Sequence, residues 1–164
     1  MEHMLNENWL LTVPMIITSG IAGTTLMTAY LLLVGFATDK MFRTTKILGK
    51  MVTDTRPAAN EPSRLSRKTL TSISGILIHY LMGILFMTIF FLLWKKGIGY
   101  PNYFSGIVFG FISGVAAIGI WYTAFRLRLC PPDVNPKAYF LHIFIGHFFF
   151  VWGCFYTFQI LSRV

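Results

Sequence analysis

Acidic residues are scarce in this sequence. Of 164 residues only six are Asp or Glu, against 14 Lys or Arg, and charged residues of both signs make up 12% of the chain. Ordinary soluble domains carry roughly a quarter. A chain this short cannot bury a 55% apolar composition in one water-soluble core, so a soluble enzyme and a disordered tail are both excluded. There are only two cysteines, Cys130 and Cys154; they fall at different depths in the spans assigned below, which argues against a disulfide framework. Met1 to Trp9 contains no Lys or Arg, so the basic start of a signal peptide is missing and the first apolar run is expected to stay in the protein. No Asp, Glu or Lys stands in the central part of any apolar run. That removes the usual acid and base of a hydrolase and weighs against a carboxylate-based ion transporter.

What the sequence has is four long apolar runs, at about 9–36, 71–94, 103–125 and 138–161, with a mean hydropathy of +0.63 for the whole chain. Each meets the requirement of about 20 residues for crossing a bilayer as a helix. Four strands cannot close a barrel, and open sheet edges are not tolerated in hydrocarbon. The expected fold is therefore all-α, a polytopic membrane protein with four transmembrane helices in an antiparallel bundle, forming a single membrane domain. Trp9, Trp94, Tyr100, Tyr103, Trp121 and Tyr122 mark the interfaces.

The net charge of +8 would suggest nucleic acid as a partner for a soluble protein. Here the charges cluster between apolar runs, so anionic lipid headgroups are the expected partner and nucleic acid is not. Eleven Lys or Arg lie on one side, in the basic connection 37–70 and between the third and fourth runs; three lie on the other. The positive-inside rule then places both connections in the cytoplasm and both termini outside. Within the first connection, Met41, Thr45, Leu48 and Val52 share one helical face, and Lys40, Arg43, Lys46 and Lys50 another. That pattern predicts a helix over about Asp39 to Val52 lying on the membrane surface. A loop follows around Arg56-Pro57 to Pro62-Ser63, and Pro131, Pro132 and Pro136 interrupt the second basic connection. Gly97, Gly99 and Pro101 make the short external turn.

Inside the spans, Gly106, Gly110 and Gly114 form a small-residue stripe that lets another backbone approach, within the chain or in a second copy. The first run carries hydroxyls, Thr24 and Thr28 among them. His79, flanked by Gly75 and Gly83, and His147, preceded by Gly146, enter from the same side and reach about 12–14 Å deep, at 1.5 Å per residue. Thr28 reaches the same level from a run of opposite direction. Three uses of this layer stand side by side: a structural hydrogen-bonded network, a haem or metal site with His79 and His147 as ligands and the glycines giving room, or a proton or solute path. His142, five residues before His147, points elsewhere on the helix and does not pair with it.

Gly23-Thr24-Thr25-Leu26-Met27-Thr28, His79-Tyr80 with Gly83, and Pro131-Pro132 followed by Gly146-His147 and Trp152-Gly153 together resemble a group of small four-span inner-membrane proteins of bacteria that has no assigned activity. Those proteins often carry Asp where Thr28 stands, so an Asp–His couple is not implied here. The resemblance implies a four-helix fold in a bacterial cytoplasmic membrane and draws notice to the two histidine positions. The expected role is an accessory subunit of a larger membrane assembly, beside a membrane-protein partner or a second copy, without an active site. The alternatives are a b-type haem electron carrier and a small carrier or proton path.

Overall fold

The computed structural model describes residues 9–38, 44–53, 64–127 and 135–162. They form helices α1 (Trp9–Thr38), α2 (Thr44–Thr53), α3 (Arg64–Lys95), α4 (Tyr103–Arg126) and α5 (Pro136–Leu161), with no strand among the described residues. The helices α1, α3, α4 and α5 are each long and apolar enough to cross a membrane. The chain is an all-α, four-span membrane protein. Its outward face shows why: Leu33 is 71% exposed, and Phe111 and Ile112 are also exposed, a surface that water penalises and lipid tails accept.

Local chemistry sets the helix ends. The Asn102 side chain accepts from Ser105 N at 2.8 Å to open α4. Asn135 accepts from Lys137 N and Ala138 N to open α5, with Pro136 in the first turn, where its missing N–H costs nothing. The turn joining α3 to α4 passes through Gly97 and Gly99, both at φ +76°, a conformation that side chains rarely adopt. Across this turn the Gln159 side chain of α5 donates to Pro101 O, so α3, α4 and α5 are tied at that end of the bundle.

The central helix is α5. It packs against α1 on one side and α4 on the other, and α1 in turn packs against α3. Two of these seams close on glycine pairs. A Cβ on Gly153 would lie 2.9 Å from Gly23 Cα, and one on Gly20 would lie 2.7 Å from the α3 backbone beside Gly83. The α4–α5 seam is built differently. Gly106, Gly110 and Gly114 each face an α5 aromatic, Trp152, Phe148 and Phe144 respectively. The stripe is therefore filled from within the chain. Helices α3 and α4 make little direct backbone contact; near the turn that joins them Phe90 and Phe109 bridge them, ring centroids 5.1 Å apart.

The short helix α2 corrects one expectation. It does not lie flat on the lipid surface. It runs antiparallel beside α3, with Gly49 against the Thr71 carbonyl and Gly75 against the Thr45 carbonyl. Two glycines let the backbones touch, and Ile47 is buried by the contact. An amphipathic face needs an apolar partner, and the N-terminal half of α3 supplies it as well as lipid would. Of the segment expected to form this helix, Asp39 to Arg43 and the Val52 side chain lie outside the described residues, as do the loop at 54–63, Cys130, Pro131 and Pro132.

Candidate functional site

Thr24, Thr28, His79 and His147 form a polar layer in the bundle interior, while the buried Ser19 of α1 and Ser105 of α4 lie outside it. From α1, Thr28 Oγ1 donates to Thr24 O at 2.7 Å, and His79 Nε2 of α3 lies 3.2 Å from the same oxygen. A hydroxyl has one proton, and Thr24 O takes it. Thr28 therefore accepts from His79, which puts the proton on Nε2 and leaves Nδ1 as an acceptor. On α5, His147 Nδ1 lies 2.8 Å from Ile143 O; a carbonyl can only accept, so Nδ1 carries the proton and Nε2 is the acceptor. Among the described residues no donor bonds to either remaining nitrogen. Both histidines are buried.

His79 and His147 line a common cavity of about 120 Å3 at the centre of the bundle. Thr24 and Met27 of α1 form its back wall together with Ile143 and Phe150 of α5, while Gly83 and Phe86 of α3 face Ala117 and Trp121 of α4. Leu48 of α2 lines it as well, so the helix beside α3 borders the chamber. Toward the end where α3 and α4 join, the aromatic rings of Phe90, Phe109, Phe155 and Trp94 pack together, and the layer of Thr28, His79 and His147 does not continue through them. On the flank between α3 and α4, Met82 and Ile120 line the cavity yet are 39% and 57% exposed. The chamber opens there, toward lipid.

The room that glycines were expected to give a macrocycle is taken by protein. Gly75 receives the α2 backbone, Gly83 receives the Thr24 side chain, and Gly146 receives Met27 and Tyr30. Only Gly83 also borders the cavity. For scale, an apolar cavity of about 150 Å3 holds a single benzene ring, and a tetrapyrrole is several times larger. The residues present do not fit a haem. Nor do the described residues include a cluster of three His, Cys, Asp or Glu suited to a metal ion.

Two arrangements were not legible in the sequence. His142 Nδ1 lies 3.0 Å from the Tyr30 hydroxyl of α1, in a separate polar contact. Trp121, read as an interface marker, is buried and forms part of the cavity wall. Comparison with known protein families, curated proteins and solved structures gives no match.

Proposed function

We propose that this protein is a non-catalytic accessory component of a larger assembly in a bacterial cytoplasmic membrane, and that it works by binding in its central cavity. The observation that carries this reading is the composition of the chamber. Two imidazoles and a threonine stand in an otherwise apolar wall with no carboxylate, amine or thiol, a set able to hold and orient a ligand. The motifs shared with small four-span bacterial proteins support the same placement. The charge asymmetry supports termini on the external side, with the basic connections against anionic headgroups; a C-terminal reporter that is active only in the cytoplasm would contradict that orientation.

The accessory role is tested on the native membrane. After mild solubilisation, the protein should run as a discrete complex with one other membrane protein in fixed ratio, recovered equally when either partner carries the tag. Recovery only as a free 18.7 kDa chain, or as multiples of it, would reject the accessory role.

A further inference from the structure

The cavity has a size, an entrance and a hydrogen-bonding sense, and together they specify a ligand class. We propose that it binds the hydroxyl-bearing aromatic head of a lipid-borne quinol or phenol, which enters between α3 and α4 and donates to His79 and His147. This rests on reading the cavity as a binding site.

Size comes first. About 120 Å3 is near the roughly 150 Å3 of a cavity that accepts one benzene ring, so one six-membered ring fits and a fused polycycle does not. The walls suit such a ring. Phe86 and Phe150 each meet His147 edge to face, with ring centroids 6.3 Å apart, and aromatic groups pack well in that geometry.

The entrance is lateral. Leu48 borders the cavity, and Phe90, with Phe109, packs behind its Phe86 and Phe150 walls, whereas Met82 and Ile120 are exposed toward the membrane. A ligand arriving from lipid can leave a hydrocarbon tail outside in the bilayer.

The hydrogen-bonding sense separates the reduced form from its relatives. The network leaves His79 Nδ1 and His147 Nε2 as acceptors, so the matching ligand presents O–H donors. A quinone presents only carbonyl acceptors and an ether none of the needed protons. An ammonium ion would have to shed its water at this depth, against an apolar wall. A divalent metal ion would want more ligands than two imidazoles.

Equilibrium dialysis of the purified full-length protein in detergent against 2-decylhydroquinone, kept anaerobic, tests the proposal. Its dimethyl ether is the control, since both share a ring and a tail and partition alike into micelles. We expect saturable binding of the hydroquinone at one per chain, with the ether weaker by about tenfold or more, the scale of one or two hydrogen bonds inside a membrane protein. His147→Phe should weaken hydroquinone binding to the level of the ether. Ala117→Phe fills the cavity and Ile120→Trp crowds its mouth, the latter from an exposed position where folding is undisturbed; each should abolish saturable binding. Absence of saturable binding, equal affinity for hydroquinone and ether, or full affinity in Ile120→Trp would overturn the proposal. A stoichiometric native complex together with any of those results would reject the ligand while leaving the accessory role standing.

Discussion

Replacing Gly153 with Ala tests whether the α1–α5 seam depends on backbone contact. The added methyl would sit 2.9 Å from Gly23 Cα and 3.3 Å from Gly23 N, whereas non-bonded carbons rest at about 3.5–4.0 Å. Neither neighbouring atom belongs to a movable side chain, so the two helices must separate by roughly 0.6–1 Å. A gap of that size forfeits about a quarter to a half of the attraction at each contact it opens. Overpacking of this kind costs about 1–3 kcal/mol, against at most about 1 kcal/mol returned by the better helix propensity of Ala. The net cost is then about 0–2 kcal/mol, and at roughly 2–4 °C per kcal/mol for a chain of this length the variant should melt up to about 8 °C below its parent. Gly119 is the matched control: a Cβ there meets nothing within 4 Å, so Gly119→Ala should melt at or above the parent. The seam contains its own reporter, because Cys154 is 0% exposed beside Gly23. In a Cys130→Ser background, a thiol-reactive dye follows the opening of this interface on heating. Equal midpoints for the two alanine variants would refute the argument.

The aromatic-filled seam makes a parallel claim: Gly110→Leu drives a side chain into Phe148, while Ile107→Leu changes a residue 38% exposed. The first should lower yield and melting temperature in detergent and the second should not; indistinguishable behaviour would remove the packing role. Thr28→Val deletes the acceptor for His79 Nε2 and should cost about 1 kcal/mol, read as a fall of roughly 2–4 °C in melting temperature. Thr123→Val, at an exposed hydroxyl bonded back to Gly119 O of its own helix, should cost less. If the two threonines prove equivalent, the imidazole layer is not held by Thr28.

The four spans were legible because lipid imposes a length and a composition that the sequence must meet residue by residue. The depth of His79, His147 and Thr28 was legible for the same reason: helical rise converts position along a span directly into height. What the sequence withheld was lateral. The pattern of α2 announces an apolar face, but Ile47 and Leu48 read the same whether lipid or α3 receives them. The glycines around His79 and His147 announce open space without saying who occupies it, and the answer came from Thr45, Thr24 and Met27, residues distant in sequence. Trp121 looked like an interface anchor because its position near a span end fits that role; only the neighbouring helices show that it faces inward.

The α4–α5 seam has a property that follows from its spacing. Aromatic residues recur on α5 at Phe140, Phe144, Phe148, Trp152 and Tyr156, every fourth position, and Gly106, Gly110 and Gly114 of α4 recur every fourth position too. Sliding one helix by a single turn, about 6 Å, in either direction would again seat an aromatic ring on each of the three glycines. The seam thus works like a rack with evenly cut teeth: it resists half-steps and is nearly indifferent to whole ones. Its setting comes from the ends, where Gln159 holds Pro101 O, Tyr103 stacks on Trp152 with planes 12° apart, and Trp121 meets Tyr139 edge to face. Loosening those stops would free α4 to index along α5 as a piston, shifting Ala117 and Trp121 by a full tooth relative to His147.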